Sequence, residues 1–237
     1  KDIRYQKIIV NSGWPKYDLY KKHFAKYHFE KARMIRKKYG KFYLFSSNFG
    51  VLNEKSLAER KRNNKYKKKY TNKNLKLMNQ LSDNAYLDYK NFIKNINYFS
   101  KNNKSKIIIR PQPGDKNLTD WKNDLKIGKN LKVAYEGEIM PWIIASEGLI
   151  HRGCGTSIEA MFFKKKLFYY LPDRKINDYE KNLTYKISKK IKHLSTEKLK
   201  KFRINTYNIN EVLKNNIENY DKIYSSEIII KHLKELK

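Results

Sequence analysis

The sequence predicts an α/β fold, a Rossmann-like, mostly parallel sheet flanked by helices. Three observations lead to this prediction. Short runs of β-branched and aromatic residues alternate with stretches of helical character, as in βαβ units wound around a parallel sheet. One helical stretch carries an apolar stripe on a single face. The chain has 237 residues, 40% of them apolar, so it can bury a sizeable core.

Six short runs are predicted as strands, and the clearest helix lies between the second and third of them. Asp83 is the predicted N-cap of this helix, which runs to Phe99 with apolar residues at three- and four-residue steps. We expect this stripe to pack on the sheet as core. The strands are Lys7–Asn11, Phe42–Ser46, Lys106–Arg110, Lys132–Tyr135, Gly148–His151 and Leu167–Leu171. The stripe residues are Ala85, Tyr89, Phe92, Ile96 and Phe99.

Two further segments have a distinct composition. Arg60–Lys76 holds nine basic residues and no acidic one, with Tyr66 and Tyr70 between them. We expect this stretch, within an insertion at 53–76, to be an exposed excursion from the core; it is either simply solvated or a surface for acidic lipids and phosphates. The tail is predicted to be helical. Its apolar anchors are Leu194, Leu199, Phe202, Ile228, Ile229, Ile230 and Leu233.

The charge is strongly unbalanced. With 54 basic and 23 acidic residues, the formal net charge is +31, which favours an anionic partner such as nucleic acid, a membrane surface or a charged substrate. Codons rich in A and T also specify Lys, Asn, Ile and Tyr, so genome composition is an alternative source of the charge. A single Cys excludes a disulfide framework and a Cys-based zinc site, and no apolar run approaches a membrane span. We therefore expect a cytoplasmic protein, with peripheral contact to an anionic membrane as an option.

The richest candidate site follows the fifth predicted strand. Gly153 and Gly155 allow the backbone to turn sharply and approach a ligand, while Thr156 and Ser157 can cap the following helix and donate hydroxyl groups to a phosphate. Glu159 projects from the first helical turn, where a carboxylate can accept hydrogen bonds from two ribose hydroxyls. The alternative is an ordinary capped turn with a glutamate that compensates the helix dipole.

Two other strand ends are polar. Arg110 ends a very apolar strand and offers a bidentate cation, and the two prolines that flank Gln112 hold it in an extended conformation. Ser47 and Asn48 follow the second strand. His151, at the end of the fifth, is either a structural histidine or a donor to a substrate phosphate or carboxylate. In an open α/β sheet, ligands bind beyond such carboxyl ends.

Several catalytic signatures are absent from the sequence. It contains no Gly-x-Gly-x-x-Gly, no Walker lysine motif, no nucleophile elbow and no metal-ligand cluster. A hydride-transfer enzyme, an ATPase and a metallohydrolase are therefore not expected, and neither a cofactor nor a metal is predicted.

Five segments taken together resemble one family, the bacterial surface-carbohydrate biosynthesis proteins of GT-B architecture, similar in kind to the Kdo transferases of capsule and lipopolysaccharide assembly. The family pattern has a Gly-Asn-Pro-Arg-type turn, an Asn-Thr-Asn-Phe strand end, an Arg-Pro-His-Pro motif, a Pro-Trp helix and a His-x-Gly-Cys-Thr-Thr-x-x-Glu loop. The resemblance covers roughly residues 8 to 172, and the last loop is its most specific part. The corresponding segments are Asn11–Leu19, Phe45–Gly50, Ile109–Pro113, Gly137–Trp142 and Ile150–Ala160.

The resemblance implies the C-terminal, donor-binding half of a GT-B glycosyltransferase that needs no metal. Residues 1–20 would hold an interdomain-type turn and the first strand, 8–175 a domain that binds a nucleotide-activated sugar such as CMP-Kdo, and 176–237 C-terminal helices. A glycan or glycolipid acceptor would bind a missing N-terminal domain. His151 and Arg110 would be catalytic, acting on the leaving phosphate.

The remaining site residues implied by the resemblance bind the nucleotide sugar. Two positions depart from the family pattern: Gln112 stands where the pattern has His, and Arg152 replaces a smaller or neutral residue, adding charge beside the phosphate. The predicted binding residues are Gln112, Gly153, Gly155, Thr156, Ser157, Glu159, Ser47 and Asn48.

Three alternatives stay open at this stage. A CDP-polyol phosphotransferase would present a similar pocket and a similar basic surface. A nucleic-acid-binding module would use the charge and the 19 Tyr residues, with aromatics exposed on a basic face and no defined pocket. A noncatalytic scaffold that keeps the fold is compatible with the departure at Gln112.

Overall fold

A parallel six-stranded sheet forms the centre of the molecule in the computed structural model, which describes residues 15–49, 72–115, 118–202, 211–212, 214–215 and 224–235. The strand order is β3-β2-β1-β4-β5-β6, the doubly wound Rossmann order, with the switch point between β1 and β4. The strands are β1 (Phe42–Ser46), β2 (Lys106–Arg110), β3 (Leu131–Val133), β4 (Gly148–His151), β5 (Lys166–Tyr170) and β6 (Lys189–Ile191).

Helices cover both faces of the sheet. Short 3-10 helices occur at Pro15–Tyr20 and Asp178–Glu180. The α-helices among the described residues are α1 (Lys22–Tyr39), α2 (Asn72–Asn102), α3 (Leu118–Asp124), α4 (Ile139–Ala145), α5 (Thr156–Phe162), α6 (Leu183–Lys186), α7 (Thr196–Lys201) and α8 (Ser225–Glu235). The α/β class and the parallel Rossmann-like sheet predicted from the sequence are confirmed.

Alternate side chains of each strand enter two separate cores. Tyr43 and Phe45 of β1 pack toward α2, α3 and α7, whereas Phe42 and Leu44 pack toward α1, α4 and α5. Every β1 side chain is buried, because helices cover the sheet on both sides. This explains why the strands are apolar without alternation.

The predicted stripe of the long helix is confirmed as core. All five of its residues are buried, and the Phe45 and Phe92 rings stack with their centroids 4.2 Å apart. The predicted N-cap is wrong, because α2 begins at Asn72 and Asp83 lies inside it. The Asp83 side chain is exposed there, so water solvates its carboxylate and the helix continues through it.

The strand predictions differ from the structure in a few places. β1, β2 and β4 have the predicted bounds, while β5 lies one residue earlier than predicted. The predicted strand Lys132–Tyr135 begins and ends earlier, at Leu131–Val133. Lys7–Asn11 lies outside the described residues, as does the basic stretch up to residue 71, and residues 72–76 form the first part of α2.

The segment 176–237, predicted to be helical, also contains a strand. β6 pairs in parallel with β5, and Leu194 and Leu199 join the core beside it. The predicted anchors Ile229, Ile230 and Leu233 are exposed. Helix α8 is instead held at its start, where the backbone N–H groups of Ser225 and Ser226 both donate to the Asp18 carboxylate at 3.0 Å.

No α-helix in the described part of the chain is both long and apolar enough to cross a membrane.

Candidate functional site

Two loops meet at the switch point of the sheet. Ser47 and Asn48 follow β1, and Arg152 follows the neighbouring strand β4. The Asn48 side-chain amide donates to the Arg152 carbonyl oxygen at 3.2 Å, which ties the two loops together. Connections leave β1 and β4 in opposite directions, and a crevice at such a point is where open α/β sheets bind ligands. Residues predicted from two distant sequence segments thus lie side by side.

The turn after β4 is built around Gly153. Its φ of 76° is left-handed, and a Cβ there would lie 3.4 Å from the Tyr169 hydroxyl oxygen. The left-handed backbone therefore strains any side chain at this position, while a Cβ would make an ordinary van der Waals contact with Tyr169. Gly155 is the residue before α5, is exposed, and has open space around the position of a Cβ.

The two hydroxyl residues of this loop behave differently from the prediction. Neither Thr156 nor Ser157 caps α5, because both lie inside the helix and its N-cap is Gly155, which has no side chain to bond. Ser157 is fully buried and its hydroxyl donates to the Cys154 carbonyl at 2.9 Å. Thr156 is half-buried, and its side chain interacts with the Cys154 thiol. Burial also raises the pKa of the Cys154 thiol, which keeps it protonated.

Glu159 is a buried carboxylate one turn into α5. Its Oε1 lies 2.5 Å from the Nζ of Lys16, whose side chain is 50% exposed, whereas that of Glu159 is only 6% exposed. Its Oε2 is buried and has no hydrogen bond of good geometry from the described residues, although the Tyr20 hydroxyl lies close enough to interact with the carboxylate. Burial, followed by the nearby Glu159 charge, raises the pKa of both Tyr17 and Tyr20, and the contact of the Tyr20 hydroxyl with Glu159 raises that of Tyr20 further. A buried carboxylate oxygen without a donor is costly, so this group is poised to accept one.

His151 is fully buried, and both of its ring nitrogens have partners. Nδ1 accepts from the Gly153 backbone N–H at 3.2 Å, so the ring proton is on Nε2, which donates to the Ser188 hydroxyl at 2.8 Å. That hydroxyl donates to the Thr184 carbonyl. Burial lowers the pKa of His151 to about 3, which leaves the ring neutral at neutral pH. The imidazole therefore positions the Gly153 turn and presents no ring nitrogen to the crevice.

Arg110 is also used inside the protein. Its guanidinium donates to the carbonyl oxygens of Glu136 and Gly137, and it lies 5.5 Å from the Trp142 ring centroid. Trp142 donates to the same Glu136 carbonyl. The side chain thus fixes the loop after β3, and it is buried rather than open to a ligand.

The Pro-Gln-Pro turn after β2 is organised by Asp115, which sequence reasoning missed. The Asp115 carboxylate accepts from the backbone N–H groups of Phe49 (2.8 Å) and Gln112 (3.2 Å) and from the Ser47 hydroxyl. Ser47 is fully buried, while the Gln112 side chain is half-buried. A Pro-Gly-Asp ending after a strand is a turn signal that could have identified this aspartate.

Arg152 belongs to a network of four charges around the buried Asp88. It contacts Asp88 and lies 3.7 Å from Glu180; Arg174 pairs with the same Asp88 at 2.9 Å and with Glu180 at 2.7 Å. Two positive and two negative groups balance each other here. The charge predicted beside a phosphate is therefore neutralised within the protein. Sequence reasoning missed the network because its members lie far apart along the chain.

The predicted site residues fall into two groups. The first group is exposed or half-buried at the ends of β1, β2 and β4, where a ligand can reach it: Asn48, Gln112, Gly153, Gly155 and Thr156. The second group is buried: Ser47, Arg110, His151, Ser157 and Glu159. Among the described residues no cluster of three or more His, Cys, Asp or Glu side chains could hold a metal ion.

The sequence matches no family model and no curated protein. Two solved structures of UDP-GlcNAc 2-epimerase from Methanocaldococcus jannaschii align with the chain. One is 13% identical with a TM-score of 0.48, covering 95% of this chain and 55% of that chain. The other, a complex with UDP-GlcNAc and UDP, is 16% identical with a TM-score of 0.49, covering 95% and 54%. The chain spans about half the length of these enzymes.

Proposed function

We propose that the chain is the nucleotide-sugar-binding domain of a carbohydrate-processing enzyme, a metal-independent glycosyltransferase of GT-B architecture. The observation that carries the proposal is Glu159. This carboxylate lies in the first turn of α5, the helix that follows the switch-point strand β4, and it is buried with one oxygen that has no hydrogen bond of good geometry from the described residues. In a nucleotide-binding fold, such a carboxylate can accept hydrogen bonds from two adjacent ribose hydroxyls.

The other crevice residues suit the rest of such a ligand. The backbone of Gly153 and Gly155 lets a phosphate approach closely, and the side chains of Asn48, Gln112 and Thr156 can donate hydrogen bonds to the phosphate or the sugar. None of these groups carries a charge. They orient a ligand rather than attract it.

His151 and Arg110 have a supporting role in this proposal. Because both are buried and bonded within the protein, they hold the Gly153 turn and the loop after β3 in place. Any effect of their removal on catalysis then passes through the geometry of the crevice. CMP-Kdo is the donor that the resemblance favours, with a glycan or glycolipid acceptor held by a second domain.

Isothermal calorimetry with CMP, CDP, UDP and GDP tests the proposal. We expect at least one nucleotide to bind, and Glu159→Gln to weaken it about 10- to 150-fold, because charge-assisted hydrogen bonds contribute about 1.5–3 kcal/mol. Glu197→Gln is the matched control, since Glu197 is a 71% exposed carboxylate on α7. Unchanged affinity in a folded Glu159→Gln protein would refute the ribose role, and absence of binding by the wild-type chain would refute the proposed function.

A further inference from the structure

A nucleotide phosphate needs positive charge nearby, and the two arginines expected to supply it do not face the crevice. Arg110 donates to the carbonyls of Glu136 and Gly137. Arg152 is paired with Asp88 inside the four-charge network. Releasing Arg152 would take one of its partners from the buried Asp88 carboxylate, which is costly, and releasing Arg110 would undo the hydrogen bonds that hold the loop after β3.

Lys16 is placed differently. Its side chain is 50% exposed. Its Nζ nevertheless lies 2.5 Å from the carboxylate of Glu159, whose side chain is only 6% exposed. The 3-10 helix that carries Lys16 is seated on α5 through the rings of Tyr17 and Tyr20, each 5.3 Å from the Phe162 ring centroid. The backbone of Lys16 is therefore fixed beside the proposed site, while half of its side-chain surface is exposed.

We propose that Lys16 is the phosphate-binding cation of this site and that its ion pair with Glu159 is a latch that nucleotide binding opens. The inference rests on the proposed function. In the unliganded protein Lys16 neutralises the buried carboxylate. When a nucleotide binds, the ribose hydroxyls take over Glu159, and the ammonium moves to the phosphate that the same ligand brings.

The chemistry of the side chain fits such an exchange. A lysine ammonium is a point charge on a flexible stem with three donors, so it can change partners by rotation alone. The exchange is favourable only if the incoming ligand carries its own negative charge. A nucleoside without phosphate would have to separate Glu159 from Lys16, and it carries no anion that could pair with the released ammonium. The latch therefore selects for phosphorylated ligands.

Calorimetry on the full chain with the matched pairs cytidine and CDP, and uridine and UDP, tests this inference. We expect the wild type to bind the diphosphate of one pair at least tenfold more tightly than its nucleoside. Lys16→Met should lose about tenfold or more in diphosphate affinity while nucleoside affinity stays the same or rises, because Glu159 no longer has a competing partner. Lys16→Arg should keep most of the preference.

Lys201→Met serves as the control, because Lys201 is a 76% exposed lysine that pairs with Glu197 on α7. Equal loss of nucleoside and diphosphate affinity in Lys16→Met would mean that Lys16 only positions Glu159, and would overturn the inference. Wild-type diphosphate affinity in Lys16→Met would overturn it as well. Absence of nucleotide binding by the wild type would refute the proposed function itself, and this result is distinct from the two outcomes for Lys16→Met.

Discussion

Asp88 should be among the most sensitive positions for stability. Its carboxylate is 2% exposed and contacts both Arg152 and Arg174. Removing one partner from a buried ion pair costs about 3–5 kcal/mol, because a buried charge is left uncompensated. Glu180 still lies near both guanidiniums in an Asp88→Asn protein. We therefore expect the lower end, about 3 kcal/mol, or roughly 6–12 °C in Tm for a chain of this size.

Urea unfolding followed by circular dichroism measures this loss. Asp178→Asn is the matched control, because the Asp178 side chain is 97% exposed and water screens its pair with Lys181, so its loss should change stability far less than the loss of Asp88. The Asp88→Asn, Arg152→Met double variant should be less destabilised than the sum of the two single variants. Equal effects at Asp88 and Asp178, or additive effects in the double variant, would refute the view that the network acts as a buried unit.

Three further changes have defined outcomes. Gly153→Ala should lower the free energy of unfolding in urea by about 1–2 kcal/mol, because the φ of this residue is 76°, and it should weaken nucleotide binding. Gly114→Ala should be near neutral, because a Cβ there meets nothing within 4 Å; equal effects of the two substitutions would contradict this. Asp18→Asn should speed hydrogen exchange across α8 and cost about 0.5–2 kcal/mol, since Asp18 caps Ser225; unchanged exchange would exclude the cap. Lowering the pH from about 6.5 toward 3 should reduce the free energy of unfolding, because burial lowers the pKa of His151 to about 3 and only the unfolded chain takes up that proton. His151→Gln should flatten this slope, and an unchanged slope would show that other groups cause it.

The fold was largely readable from the sequence because the central strands are buried on both faces. Apolar runs such as Lys106–Arg110 and Gly148–His151 have little alternative to a parallel sheet, and their bounds were predicted correctly. β6 was not predicted because two of its three residues are lysines, whose side chains can reach solvent at the edge of a sheet. The start of α2 was predicted wrongly because an Asp before an apolar helical stripe, here the exposed Asp83, has the sequence pattern of an N-cap.

The sequence predicts a candidate site at the strand ends, but it does not predict which of the polar side chains there are already bonded within the protein. Glycines and hydroxyl residues after a strand indicate the crevice, since the carboxyl ends of parallel strands share one edge of the sheet. Hydrogen-bond partners, in contrast, come from distant segments: His151 meets Ser188, and Arg110 meets the loop at Glu136. Composition alone cannot show that such partners already satisfy a polar side chain. The same limit hid the pairing of Lys16 with Glu159.

The most direct test of the account is a crystal structure of the chain with the nucleotide that binds best in calorimetry. We expect the nucleotide in the crevice between the ends of β1 and β4, with its ribose hydroxyl oxygens about 2.6–3.2 Å from the Glu159 carboxylate and Lys16 turned to the phosphate. A nucleotide bound away from this crevice, with Glu159 still paired to Lys16, would contradict the account.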